Sequence, residues 1–487
     1  MYIIKSLKGE NVTIGKKTKN VRRVNMLTDI FEKEKALFED GAQTVLRAQE
    51  NRNRAVRILK GNITANSRNE SRGISARVGK NGLFGFASIA EYSEEAAKKV
   101  LKAASDNAKL LARHTKNSGI ILPPSYGTGK VSLNRNIEDA EQKRIIDVCR
   151  QLDDYIAKKY PDLESRMVAY TEDSQDRIVY SSDAYDGHLV TPRCYIYVTM
   201  SLKTKEGTPV ELFKALGGFG CFEDNFSDVE KYYPEIEKLY KRIKDKAEGV
   251  YAEAGYKTVV LGGMMGGMLA HEAVGHTVEA DLVMGGSVAG PNLGKKVASD
   301  LVNLTDFAHT YKGELAPLPV YLDDEGIKAE DVVLIKDGIL TGYMNSRETA
   351  EKYGMKPAGN ARGWAFSDEP LIRMRNTCIL PGKNTVEELI ESVDDGYYLI
   401  DSGNGQADLT GEFMFGVTCG YEIKNGKLGR ALLDTTVSGV AFEMLKTVDM
   451  VSDKVEWSSS GFCGKKQRMA VGMGGPHMRC KIMIGGR

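Results

Sequence analysis

Residues 257–276 read KTVVLGGMMGGMLAHEAVGH. A short β-branched apolar run, a pair of glycines and then helically spaced residues predict a buried strand that turns tightly into a short helix. That helix carries two histidines five positions apart, with Glu272 directly after the first, in a chain that holds only six histidines. On a straight α-helix, positions five apart lie about 140° from one another around the axis, so His271 and His276 could not face a single ion. The spacing works only with a π-type bulge or a loosened turn before His276, and Gly275 stands where such a distortion costs least.

With that irregularity the segment suits zinc. Two neutral imidazoles are good ligands, and Glu272 beside the first is placed to take a proton from water acidified by the ion rather than to coordinate. A catalytic zinc takes three protein ligands and keeps one position open. Glu279, Asp281, the cluster Asp323, Asp324 and Glu325, Cys463 and His477 all remain open as the third. The plain alternative is two helix histidines with no metal.

On the C-terminal side of this segment, nearly everything after Val302 consists of short strand patterns separated by turns such as DDEG, KDG and KNG, interrupted by helices at NTVEELIESV and SRETAEKYG. Residues 257–487 are therefore expected to form a large β-rich domain. On the N-terminal side, the runs TVLRAQ, AVRILKG, GISARVG and LFGFAS, the last two joined by the turn GKNG, read as a β-meander. Ser93 and two glutamates then open a helix with Ala96, Ala97, Val100, Leu101, Ala104, Ala108 and Leu111 on one face. A Pro/Gly-rich linker, ILPPSYGTGK, precedes a second strands-plus-helix block with a helix from Ile137, strands MVAYTE, DRIVYSS, CYIYVTMSL and VELFKAL, and a helix from about Asp228. The expected fold class is α+β, with a basic extension at 1–23, α+β subdomains at 24–124 and 125–256, and the β-rich domain beyond.

The 487 residues carry 67 Lys+Arg against 66 Asp+Glu, a net charge of +1 that offers no field for nucleic acid or an anionic membrane. No apolar run reaches the roughly 18 residues of a membrane helix, and the N-terminus lacks the apolar segment of a secretory signal. Seven scattered cysteines without a C-x-x-C pair point to reduced thiols and a cytoplasmic protein.

Several segments together resemble a known family. HEAVGH with its glycine-rich lead-in, DDEG, VLIKDGILTGYMNS, GNARG at 359–363, RMRNTCILPGK, YEIKNGK and FCGKKQRMAVGMGGPHMRCKIMIGG follow one another as the motifs of the TldD/PmbA metallopeptidases do, and ESRGISARVGKNGLFGFAS is similar to the first-domain motif. The resemblance is to the TldD type, which keeps HExxxH. It implies one zinc ion per chain held by His271, His276 and Cys463, with Glu272 as catalytic base. It further implies cleavage of unfolded peptides, and a homodimer or a heterodimer with a PmbA/TldE-type subunit. Tyr343, Asn360 and Arg362 are expected substrate contacts. Gly475 and His477 depart from the family's usual tail, and the basic extension has no counterpart in it. Two other readings remain: a metal-binding or peptide-binding scaffold active only with a partner chain, and nucleotide binding at LGGMMGGM, which lacks both the Lys-Ser/Thr of a P-loop and an ordered G-x-G-x-x-G.

Overall fold

The computed structural model describes residues 19–115, 119–133, 135 and 140–485. Residues 1–18 of the expected basic extension lie outside that range, and the rest begins helix α1 (Lys19–Glu34). Three strands follow: β1 (Gln43–Leu59), β2 (Asn62–Lys80) and β3 (Leu83–Ile89). The β2–β3 turn sits at Asn81 and Gly82, whose φ values of 51° and 74° give the left-handed pair that a tight hairpin needs. Helix α2 (Glu94–His114) starts at Ser93, whose hydroxyl accepts from the Ala96 amide at 3.0 Å. Its buried face ends at Ala108; Leu111, expected on that face, is exposed near the helix end.

The second block contributes β4 (Lys130–Leu133), α3 (Gln142–Lys159), β5 (Ser165–Ser181), β6 (Asp186–Thr191), β7 (Arg193–Lys203), β8 (Pro209–Phe219), α4 (Phe222–Phe226) and α5 (Tyr233–Ala247). TVLRAQ and AVRILKG are halves of the single strand β1, and MVAYTE and DRIVYSS are halves of β5. Because β1 pairs with β5 from Val45 to Leu59, both blocks share one eight-stranded sheet.

The two-residue period of a strand gives this sheet two different faces. Even-numbered residues such as Leu46, Ala48, Ile178 and Tyr180 pack with α1 and α2, while Val56, Ile58, Val168, Ile196 and Val198 pack with α3 and α5. Odd-numbered positions on the same strands include many buried polar residues, among them Arg47, Gln49, Asn51, Arg177 and Arg193. They face the C-terminal domain: Gln49, Asn51 and Gln175 donate to the Trp364 carbonyl at 2.6, 2.7 and 3.0 Å. Asp324 lies between Arg47 and Arg177 at 2.7 and 3.1 Å.

An eleven-stranded sheet forms the C-terminal half. Within it β9 (Gly255–Leu261), Asp395–Ala407, Glu412–Lys424, Thr435–Val440 and Gly472–Gly485 pair in succession, and the last returns to pair with β9, closing a circuit of five strands. From β9 the chain turns at Gly262 into α6 (Gly263–Met268). A Cβ on Gly263, Gly266 or Gly267 would run into Glu456 or the backbone of Gly474 to Pro476, and one on Gly475 would meet the α6 backbone. The glycines of LGGMMGGM therefore serve backbone-to-backbone packing of helix on strand, which is also why a glycine stands at position 475.

Candidate metal centre

Directly after α6 the chain forms a π-helical segment, Leu269–Gly275, and then a 3₁₀ turn from His276 to Val278. This is the irregularity the five-residue spacing demands: the wider turn brings the rings of His271 and His276 to 5.3 Å between centroids. Gly275 contributes differently from expectation. Its φ and ψ of −53° and −47° are ordinary for a helix, but the Met374 sulfur fills the space a Cβ would need.

Cys463 approaches from a short hairpin, Phe462–Cys463 paired with Met469–Ala470. Its Sγ lies 3.3 Å from His276 Nε2. Ligand atoms of His271, His276 and Cys463 all fall within 4.8 Å of one another, and no other group of three potential ligands among the described residues does so. Glu272 stands beside them, its carboxylate oxygens 3.9 Å from His271 Nε2 and 3.7 Å from His276 Nε2. It is the more open member, whereas His271 and Cys463 are buried.

Neighbouring groups fix these side chains. Glu279, expected as a possible ligand, lies 2.8 Å from His276 Nδ1 and is fully buried. Burial alone would raise its carboxyl, but His276, Lys465 and Arg373 hold it below its ordinary value. As an ionised acceptor it draws a ring proton to Nδ1 and leaves Nε2 facing Cys463. Lys465 bridges Glu279 and Asp281 at 3.2 and 2.9 Å and donates to the Ile372 carbonyl at 2.6 Å. Arg373 donates to the carbonyls of Cys463, Lys465 and Gln467, tying down the loop that carries Cys463. From β7, Arg193 and Tyr195 donate to the Ser459 carbonyl and Tyr197 to that of Ser460, so the N-terminal sheet holds the chain leading to Cys463.

The electrostatics suit a cation. Burial would push the Cys463 thiol up, yet the adjacent imidazoles outweigh it and bring it down to about 4. Burial would likewise lower His276, but the thiolate and Glu279 raise it to about 10. The surroundings thus favour positive charge at Nε2. In addition, His271 Nδ1 is buried with no hydrogen-bond partner. Two imidazoles and a thiolate, one of them with an orphaned nitrogen, are a chemically suitable donor set for zinc.

The other expected positions lie elsewhere. Tyr343 is buried with its hydroxyl donating to the Ala289 carbonyl at 3.1 Å, and Asn360 donates to Asp306 and to the Arg373 carbonyl. Arg362 is buried and donates to the Met374 carbonyl. Asp323, Asp324 and Glu325 form no exposed turn: Asp324 holds Arg47 and Arg177, and Glu325 holds Arg77. His477 sits on strand Gly472–Gly485 with Nε2 2.9 Å from the Tyr398 hydroxyl. Glu279, Lys465 and Arg373 were not legible as positioning residues. The only signals were a carboxylate three residues after a histidine and a lysine two after the cysteine.

A two-sheet α+β chain with this cluster belongs to the PmbA/TldD family of metallopeptidases: the family's C-terminal domain model, described as PmbA/TldA metallopeptidase, matches residues 254–486, and its domain 1 model matches 45–108. Among relatives, a metalloprotease of Methanothermobacter thermautotrophicus is 32% identical over 454 residues, covering 91% of this chain and 95% of that protein. A zinc metalloprotease TldD homolog of Saccharolobus solfataricus is 29% identical over 371 residues, covering 75% of this chain and 81% of the relative. The crystal structure of TldE from Thermococcus kodakarensis shares the fold, with a TM-score of 0.74 at 19% identity over 94% of this chain and 100% of that one.

Proposed function

We propose that this chain is a zinc peptidase of the HExxxH type, with His271, His276 and Cys463 holding one ion and Glu272 acting as general base. The convergence of those three donors within 4.8 Å, with Glu272 alongside, carries the reading. When bound, the ion supplies Lewis acidity that polarises a peptide carbonyl and acidifies a water. Glu272 accepts the water's proton and delivers it to the departing amide nitrogen. Glu279 and Lys465 keep His276 in one tautomer and orientation, and Arg373 keeps the backbone of Cys463 in place.

The substrate class in this reading is unfolded or extended peptide, gripped through its main chain by a strand-rich wall with little demand on sequence. The working unit is a dimer, either of two copies or with a PmbA/TldE-type chain. A cytoplasmic setting agrees with seven free, buried cysteines and with the lack of any helix, among the described residues, long and apolar enough to cross a membrane.

Elemental analysis of the purified chain, with cleavage of an unstructured peptide in the presence and absence of chelator, tests this. Glu272→Gln should retain metal and lose cleavage by about 10²-fold or more; unchanged turnover in that variant refutes the assignment. Metal binding with turnover only after addition of a PmbA/TldE-type chain supports the scaffold alternative.

A further inference from the structure

Between the two sheets, β5 and β6 face the segments 318–322, 362–364 and 469–470 across a cavity of about 40 Å³. By the usual requirement of about 10–15 Å³ per water, it has room for a few waters or for one carboxylate group. Much of its wall is apolar, including Leu189, Val320 and Met469, but Arg177 and Arg362 also line it.

Arg362 shares with buried Arg373 the lack of a carboxylate partner, but Arg373 donates to three carbonyls and Arg362 to one. Arg362 is 5% exposed and makes no ion pair with any described carboxylate. Asp306, a neighbouring acid, is taken by Arg375 at 2.8 Å and by Asn360. The Arg362 Nε has no partner, and neither has the Arg177 Nε. Burial and the cations of Arg177, Arg375 and Arg373 push Arg362 down to about 9. A guanidinium left without an anion in such a place is costly, and its planar N–H face matches the geometry of a carboxylate.

Two lining residues of the cavity, Met469 and Ala470, belong to the hairpin that carries Cys463. Met469 pairs with Cys463 and Ala470 with Phe462 across the hairpin. Arg362 donates to the carbonyl of Met374, whose sulfur packs on Gly275 in the turn that carries His276. We propose that Arg362, flanked by Arg177, forms a subsite for a carboxylate of the ligand that reaches this centre. In a peptidase, as proposed above, that carboxylate is either the C-terminus of the peptide or an acidic side chain.

Two measurements test it, the first independent of any cleavage. The full-length, metal-loaded protein is melted in sodium acetate and in sodium chloride of equal ionic strength. Acetate should raise the midpoint by about 1–2 °C, and Arg362→Gln should abolish the rise; acetate held by metal instead would stabilise that variant equally. Arg362→Lys, which keeps the charge, serves if the glutamine variant fails to fold, and should retain only part of the rise. No acetate effect in the wild type, or an equal effect in both variants, overturns the subsite even if peptides are cleaved.

The second measurement compares kcat/KM for one peptide as free acid and as C-terminal amide, and for Glu and Gln versions of the amide. Preference for the free acid by about tenfold, falling toward unity in Arg362→Gln, assigns the carboxylate to the C-terminus. The same pattern between the Glu and Gln peptides assigns it to a side chain. Equal rates for all four peptides overturn the proposal.

Discussion

Replacing Glu279 by glutamine should weaken metal binding in addition to weakening the fold. The native carboxylate offers one oxygen to His276 Nδ1 at 2.8 Å and the other to Lys465 at 3.2 Å. Glutamine keeps its oxygen for only one of these. If it faces His276, its NH₂ meets the Lys465 ammonium; if it faces Lys465, the NH₂ opposes the imidazole N–H. Loss of a carboxylate behind a metal-ligating histidine typically lowers affinity 10–100-fold, equivalent to about 1.4–2.8 kcal/mol. Breaking a buried pair typically destabilises by about 3–5 kcal/mol. Here the damage falls toward the lower end, because Lys465 keeps Asp281 at 2.9 Å and the Ile372 carbonyl. Competition with a chromogenic chelator gives the zinc affinity, and melting with and without zinc separates the two effects. The zinc-dependent rise in midpoint should shrink in the variant. Affinity within twofold of wild type in a folded variant would refute the positioning role of Glu279.

Gly275→Ala places a methyl on the Met374 sulfur and should cost about 1–3 kcal/mol by overpacking, with part recovered in the Gly275→Ala/Met374→Ala double variant; paired denaturant titrations read the coupling. Asp324 gives a signed pH dependence. Burial would raise its carboxyl, but Arg177 and Arg47 hold it below the ordinary value, so the unfolded chain binds more protons in acid. Its contribution is complete above the unfolded pKa of about 3.9 and is lost as pH falls through the lower folded value. The wild type should therefore lose more stability between pH 5 and 3 than Asp324→Asn does, as followed by melting midpoints. Tyr195→Phe combined with Tyr197→Phe frees the Ser460 carbonyl, leaves that of Ser459 to Arg193 alone, and should lower zinc affinity several-fold while leaving α1 and α2 untouched, a contrast visible by chelator competition and hydrogen exchange.

Local features were legible in the sequence wherever local chemistry decides them. The Ser93 cap, the Asn81–Gly82 hairpin and the distorted turn at HEAVGH each follow from a few adjacent residues and fixed geometry. The long strands were not legible. The polar stretch QENRNR looks like a break in β1, but it is a buried interior whose partners, Trp364 among them, come from the other half of the chain. For the same reason the two N-terminal blocks read as separate while their strands share a sheet, and the acids of DDEG read as a turn while they hold Arg47, Arg77 and Arg177. At the centre, the histidines and Glu272 stood out by spacing. Cys463 stood out only through resemblance, because nothing local to a lone cysteine says what will face it.

The closed circuit of five strands sets an order of events for a chain emerging during synthesis. The hairpin bearing Cys463 lies 187 residues beyond His276, and the strand that closes the circuit, Gly472–Gly485, follows later still. Until that strand arrives, α6 lacks the backbone against which its glycines pack, and the two histidines lack their thiol. Contacts this distant in sequence close slowly, so the cluster assembles late. In the proposed reading, hydrolysis then waits for the last strand, a timing set by topology.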